Sequence, residues 1–181
     1  MKILYLTLIV LFTIVSCKSP EAREPISKAS GSFIKESAER NIKLNKAQED
    51  AFKEIMLEQE NTEFISSENG FWYFYVTKVE GDSITADFGD ILNFNYNIKD
   101  IKGTVIYTEE ELKTQNYAME QQELFTGLRE GLKLLKAGET ATFFFPSNIA
   151  YGYYGDQNKI GTNVPLICTV TLNSIIQNKN D

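Results

Sequence analysis

A helix followed closely by a strand is encoded in the stretch Gly127–Phe145, which reads GLREGLKLLKAGETATFFF. Leucines recur at the spacing of one helix face, which predicts an amphipathic helix over Gly127–Lys136. The leucines on that face are Leu128, Leu132 and Leu135. Gly138 is placed to end the helix, since glycine readily adopts the left-handed conformation that follows helix C-termini. Thr140–Phe145 then predicts a strand.

Further strands are indicated on both sides of this stretch by apolar residues at every second position. In Leu92–Ile98 four apolar side chains alternate with asparagines, and Leu166–Ile175 alternates in a similar way. That alternation places Cys168 on the inward face, where an unpaired cysteine usually serves as a small core residue. The segments Phe71–Val76 and Val105–Tyr107 also read as strands. Strands that enclose one short helix, without repeated strand and helix alternation, predict an α+β fold.

The start of the chain has the pattern of an export signal. Lys2 precedes an apolar run, Ile3–Val15, of about 13 residues, which is shorter than the roughly 20 residues that a membrane-crossing helix needs. The segment Ile14–Cys17 resembles the lipobox of bacterial lipoproteins, in which cleavage leaves the cysteine as a lipid-bearing N-terminus. We therefore expect a lipoprotein signal peptide at residues 1–16 and lipidation of Cys17. An ordinary signal peptide with a chance cysteine is the alternative.

Two segments separate this signal from the β-rich part of the chain. Residues 17–31 have little apolar periodicity and predict a tether. Residues 32–66 predict a helical arm, in which Asn45–Gln48 resembles a capping box and Ala47–Met56 carries an apolar stripe. That stripe either packs on the domain expected at residues 67–181 or contacts a partner helix or a second copy.

Composition excludes several classes of chemistry. The 181 residues include no histidine, which removes Ser-His-Asp and Cys-His catalysis and histidine-ligated zinc. A net charge of −7 argues against nucleic-acid binding, which requires a basic face. No nucleotide-binding or paired-cysteine motif is present, so we expect neither cofactor nor metal. Ser32–Lys35 matches the S-x-x-K pattern of penicillin-recognising enzymes but lacks its companion motifs.

Three segments, in order, resemble the FK506-binding (FKBP) type of peptidyl-prolyl isomerase over roughly Gly89–Ile176. They are the helix and turn Gly127–Glu139, the loop Pro146–Gly152, and Ile160–Leu166 before the last strand. The resemblance implies an antiparallel sheet of five or six strands wrapped around a short helix, with an apolar pocket between them. With its lipobox and helical arm, the chain also resembles the isomerase-like lipoproteins associated with gliding motility in Bacteroidetes.

The same resemblance implies the residues of the site. Tyr96 matches a pocket tyrosine, Phe125 a backbone contact to bound peptide, and Tyr151 a tyrosine whose hydroxyl hydrogen-bonds ligand. Together with Leu128, which stands at the pocket floor, these are the expected catalytic residues. Residues at five further positions are expected to contact substrate: Ile106, Tyr107, Leu124, Ile160 and Cys168.

Several of these positions depart from the family pattern. Leu128 replaces a tryptophan, Tyr107 an aspartate, and Ile106 and Cys168 each replace a phenylalanine. The segment Thr114–Gln122 aligns poorly, with Tyr117 a candidate for its aromatic position. We expect the pocket to stay apolar while losing aromatic area and its acidic group, which alters or weakens proline selectivity and macrolide binding.

Two functions follow from these residues. The first is a prolyl isomerase that acts on proline-containing polypeptides, as a lipid-anchored folding factor for envelope or secreted proteins, including gliding-motility machinery. The second is a catalytically weakened binding module of the same fold within an envelope protein complex. A generic barrel for small molecules lacks a supporting polar cluster. Lys18, which is not an aspartate, favours a periplasm-facing anchor in the outer over the inner membrane.

Overall fold

A computed structural model describes residues 30–81 and 84–178. The expected signal peptide, Cys17 and most of the tether therefore lie outside the described residues. Within the described ranges, no helix combines the length and the apolar character that a bilayer crossing requires.

The helical arm is one helix, α1, over Ser30–Glu58. The sequence predicted a cap at Asn45–Gln48, and that prediction is wrong because the helix continues through it. Gln48 does not cap a helix start; its side-chain amide bonds to the backbone of Ser147 and Asn163. Two compact units divide between Ala38 and Glu39, and all the strands belong to the unit that begins at Glu39.

In the described residues, seven strands form the sheet, with two short helices between them. The strands are β1 Ile65–Ser66, β2 Trp72–Thr77, β3 Ile91–Asp100, β4 Val105–Tyr107, β5 Gln115–Ala118, β6 Thr140–Phe145 and β7 Leu166–Ile176. The helices are α2, Glu109–Leu112, and α3, Thr126–Leu132. Two 3₁₀ turns, Ser147–Ile149 and Gly152–Tyr154, lie between β6 and β7.

The strands pair antiparallel in the order β1-β2-β6-β7-β3-β4, with β5 also paired to β3. The long central pair aligns Tyr96 of β3 with Val170 of β7, and β6 aligns Phe143 with Cys168. This confirms the predicted α+β class with an antiparallel sheet. Within the part of the chain that the structure describes, the sheet has seven strands where five or six were expected, because the short β1 and β4 also pair.

Helix α3 packs on one face of β6. A Cβ built on Gly127 would lie 2.6 Å from Cδ1 of Phe145, and one built on Gly131 would lie 3.0 Å from Cε1 of Phe143. The glycines therefore let the helix approach the two phenylalanine rings closely. Phe144 points to the opposite face, as alternation along a strand requires, and meets Phe52 of α1 edge to face at 5.5 Å.

The inward faces predicted for β3 and β7 are buried as expected, including Leu92, Phe94 and Cys168. Helix α3 is shorter than the predicted Gly127–Lys136. It ends at Leu132. The chain then continues in tight turns, in which the Leu134 amide donates to the Gly131 carbonyl and the Leu135 amide to the Leu132 carbonyl. Gly138 thus lies in the turn into β6 and does not end the helix.

Candidate active site

A cavity of about 710 Å³ opens beside α3, between the inner face of β3 and the loop that follows β6. Its lining is part aromatic or aliphatic and part polar. The first group is Tyr96, Leu124, Phe125, Ala150 and Tyr151, and the second is Gln115, Gln122, Glu123 and Arg129. The cavity therefore contains four of the expected site residues, Tyr96, Leu124, Phe125 and Tyr151.

Three separate elements position the aromatic wall. Tyr96 lies on the inward face of β3, Phe125 directly precedes α3, and Tyr151 stands between the two 3₁₀ turns. The Phe125 ring lies 5.1 Å from Tyr151 and 5.4 Å from Phe145, centroid to centroid, the second contact being edge to face. Tyr151 is therefore supported by a ring that itself rests on the core strand β6.

The hydroxyl groups of Tyr96 and Tyr151 are available to a ligand. In the part of the chain that the structure describes, neither hydroxyl has a hydrogen-bond partner. Burial, with smaller contributions from nearby Cys168 and Tyr107, raises the pKa of Tyr96 to about 12. Burial also raises the pKa of Tyr151. Both phenols therefore stay protonated at neutral pH and can donate to a carbonyl oxygen.

A tight loop from Gly155 to Ile160 closes on β4 next to the cavity. Oδ1 of Asp156 accepts from the amides of Asn158 and Ile160, and Oδ2 accepts from the Tyr107 hydroxyl. A Cβ on Gly155, where φ is +64°, would stand 2.1 Å from the Ile160 carbonyl oxygen, so this turn requires glycine.

These contacts place a carboxylate next to Tyr107, while the expected loss of the pocket's acidic group stays a prediction. The resemblance implies an aspartate at position 107, and the hydroxyl of the Tyr107 that stands there bonds to a carboxylate, Asp156, from a different loop. Glu123 adds a carboxylate to the cavity lining itself. The expectation of an apolar pocket holds only for the wall of Leu124, Phe125 and the tyrosine rings.

The other expected site residues lie behind or beside the cavity. Leu128 and Cys168 are fully buried in the core, and Ile160 is nearly so. Burial raises the pKa of the Cys168 thiol, which makes it a poor nucleophile. Ile106 and Tyr107 are half-buried at the edge of the core cluster. Direct contact of these five residues with substrate remains a prediction.

Sequence reasoning missed the polar part of the lining: Gln115, Gln122, Glu123 and Arg129. The first two fall in the segment that aligned poorly. Register explains the placement of Gln115, because β5 aligns it with Phe94 and aligns Tyr117 with Leu92. Tyr117 is buried and its hydroxyl accepts from the Glu120 amide, so it belongs to the core and not to the cavity.

Arg129 stands at the cavity on α3 with an unsatisfied group. Its Nε is buried and has no hydrogen-bond partner within residues 30–81 and 84–178. The same atom lies 3.7 Å from a carboxylate oxygen of Glu130. No group of three or more acidic, cysteine or histidine side chains among the described residues is arranged to hold a metal ion.

This geometry agrees with what comparison with known proteins finds. Residues 82–173, about half of the chain, match the family described as FKBP-type peptidyl-prolyl cis-trans isomerase. A probable FKBP-type peptidyl-prolyl cis-trans isomerase, FkpA, from Neisseria meningitidis serogroup B is 31% identical over 137 residues, which cover 76% of this chain and 48% of that relative. The chain thus spans about half the length of the curated relative that it matches.

Two solved structures have a similar fold. A peptidyl-prolyl cis-trans isomerase from Pseudomonas syringae pv. tomato has a TM-score of 0.58 and 18% identity, and the match covers 74% of this chain and 94% of that one. FkpA from Escherichia coli has a TM-score of 0.57 and 21% identity, and the match covers 97% of this chain and 81% of that one. The antiparallel sheet with its short helices therefore has an FKBP-like fold. The chain belongs to the FKBP-type peptidyl-prolyl cis-trans isomerase family.

Proposed function

We propose that this chain catalyses cis-trans isomerisation of X-Pro bonds in polypeptides that enter the cavity beside α3. The observation that carries the proposal is the pair of tyrosine hydroxyls, Tyr96 and Tyr151, which lack a partner among the described residues and stand in a cavity with an aromatic wall. Leu124 and Phe125 supply apolar surface for a proline ring, and the hydroxyls supply donors for a peptide carbonyl.

The reaction suits a site without a titrating base. Rotation about the X-Pro bond must overcome a barrier of about 18–20 kcal/mol, because amide resonance is lost. A twisted amide carries less charge separation than a planar one, so an apolar wall that displaces water favours the twisted form. Donors at Tyr96 and Tyr151 hold the peptide in register while it rotates, and no proton is transferred.

Exchange NMR on an Ala-Leu-Pro-Phe peptide tests this proposal directly. We expect the full chain to accelerate cis-trans exchange, and Tyr151→Ala to slow it by about tenfold or more, which corresponds to about 1.4 kcal/mol of barrier. Tyr153→Ala is the matched control, since Tyr153 is a neighbouring exposed tyrosine outside the cavity lining. Absence of acceleration at high protein concentration contradicts the proposal.

A binding module of the same fold is the second candidate. Two polar groups of the cavity lining favour it, the Arg129 Nε, which has no hydrogen-bond partner among the described residues, and the Glu123 carboxylate. They give the cavity polar contacts that isomerisation does not need. NMR with the same peptide decides between the two. Shifts of the Tyr96 and Tyr151 resonances on peptide binding, without acceleration of exchange, support a binder over an enzyme.

Lipidation of Cys17 and a place in the cell envelope form a separate part of the proposal. The lipobox-like segment Ile14–Cys17 supports them, and Lys18 favours the outer membrane with the domain facing the periplasm. Metabolic labelling with a palmitate analogue should mark the chain, and Cys17→Ser should abolish the label and release the protein from the membrane fraction. Labelling that persists in Cys17→Ser contradicts the anchor.

A role in an envelope protein complex, such as gliding-motility machinery, is the narrowest part of the proposal. It rests on the combination of lipobox, helical arm and isomerase-type domain in one chain. Deletion of the gene in its host should impair surface movement, and the Tyr151→Ala chain should fail to restore it while Tyr153→Ala restores it. Normal movement after deletion contradicts this role.

A further inference from the structure

The buried side chain of Gln48 links helix α1 to the two loops that flank Tyr151. Its Oε1 accepts a hydrogen bond of 2.8 Å from the amide of Ser147, at the start of the first 3₁₀ turn. Its Nε2 donates one of 2.9 Å to the carbonyl of Asn163, in the loop before β7. The residue is 7% exposed, so both ends of the amide are satisfied by backbone groups far away in sequence.

The two loops are also bonded to each other, which closes a ring of hydrogen bonds. The amide of Asn163 donates to the carbonyl of Gly152 over 2.8 Å, and the amide of Ala150 donates to the carbonyl of Ser147 over 3.1 Å. Tyr151 lies between Ala150 and Gly152. The backbone that carries the Tyr151 side chain is therefore held on both sides, and Gln48 supplies the connection that completes the ring.

Phe52 holds the same stretch of α1 in place by packing. It stands one turn after Gln48 on the same face of the helix and is fully buried between Phe144 of β6 and Trp72 of β2. Different residues of this helix therefore make the two kinds of contact. Phe52 packs on the outer face of the sheet, and Gln48 hydrogen-bonds to the loops.

We propose that Gln48 is a positioning residue for the cavity, and that its two hydrogen bonds set the fraction of molecules whose Tyr151 is placed to receive a peptide. The proposal rests on the proposed function, because it takes a proline-containing peptide as the ligand of the cavity. Loss of the Gln48 bonds leaves the Ser147 amide and the Asn163 carbonyl without partners and loosens both loops. Apparent affinity falls in proportion to the competent fraction, so KM rises while kcat is little changed.

The test compares Gln48→Met with Phe52→Leu in the full chain. Gln48→Met keeps length and packing but removes both hydrogen bonds, whereas Phe52→Leu weakens packing and leaves the bonds. We expect Gln48→Met to raise KM about threefold or more, and to speed amide hydrogen exchange at Ser147 and Asn163. Phe52→Leu should lower stability without either effect. An unchanged KM in Gln48→Met, or an equal rise in Phe52→Leu, overturns the proposal.

Two further measurements keep the outcome decisive. If Gln48→Met does not fold, Gln48→Ala replaces it, because the space that it opens lets water reach both backbone groups. If the wild-type chain shows no isomerase activity, the proposed catalysis is contradicted but the positioning role of Gln48 is still tested. In that case the Kd of the same peptide is measured in place of KM. A wild-type chain that does not bind the peptide at all overturns both proposals.

Discussion

The Tyr107 hydroxyl donates a hydrogen bond to Oδ2 of Asp156, which joins the end of β4 to the loop between Gly155 and Ile160. The same hydroxyl accepts from the side-chain amide of Asn158 at 2.9 Å. A carboxylate thus lies beside the cavity, and the loop that carries it ends at Ile160, which is buried.

Replacing Asp156 by asparagine should lower stability at neutral pH and much less at acid pH. Partial burial raises the pKa of Asp156, but the hydrogen bonds from Tyr107 and from the Asn158 and Ile160 amides outweigh it, so the pKa is lowered. A carboxyl group whose pKa is lower in the folded state stabilises the fold at pH values above its unfolded-state pKa, which is about 3.9. That stabilisation is lost as the pH falls through the folded-state pKa. Urea titrations should show the gap between wild type and Asp156→Asn shrinking from about pH 4 towards pH 2. Glu54→Gln, at an exposed helix position, is the control; a gap that does not depend on pH contradicts the assignment.

Removing one tyrosine hydroxyl should slow isomerisation without unfolding the domain. Tyr151→Phe and Tyr96→Phe keep the ring that packs in the cavity wall and remove a donor, and one hydrogen bond is worth about 1 kcal/mol, or about fivefold in rate. Exchange NMR at saturating and subsaturating peptide measures the effect. If both variants match the wild type, the hydroxyls do not contact the reacting peptide.

Gly127→Ala should destabilise the fold. The added methyl would stand 2.6 Å from the Phe145 ring and 3.1 Å from the Ile149 carbonyl oxygen, so the helix or the strand must shift. Overpacking of this kind costs about 1–3 kcal/mol of unfolding free energy. Gly161→Ala is the matched control, since its methyl meets nothing closer than Val164 Cγ2 at 3.9 Å. Equal unfolding midpoints for the two variants would show that α3 is not packed as tightly as described.

Cys168 should resist thiol reagents in the native state. It is fully buried and burial raises the pKa of its thiol, so a thiolate neither forms at neutral pH nor meets solvent. In a Cys17→Ser chain, Ellman's reagent should label no cysteine until urea unfolds the protein. Rapid native labelling would place Cys168 on an accessible cavity wall and support its expected contact with substrate.

Much of the fold could be predicted because its signals are local. Alternation in Leu92–Ile98 and Leu166–Ile175 identified the buried faces, and the leucine spacing after Gly127 identified the central helix. The prediction failed where a side chain has a distant partner. Gln48 resembles a capping residue next to Asn45, yet its amide bonds to backbone groups 99 and 115 residues away.

The sequence by itself determined the strand periodicity, the class of the fold and four residues that line the cavity. Only the tertiary structure decided that Arg129 and Glu123 line the cavity, and that Leu128 and Cys168, which the sequence had already placed on buried faces, do not. It also decided that Asp156 meets Tyr107. The physical reason is that periodicity fixes which way a side chain faces relative to its own strand or helix. Contacts between loops depend on the register and closure of the whole sheet, which no local pattern records.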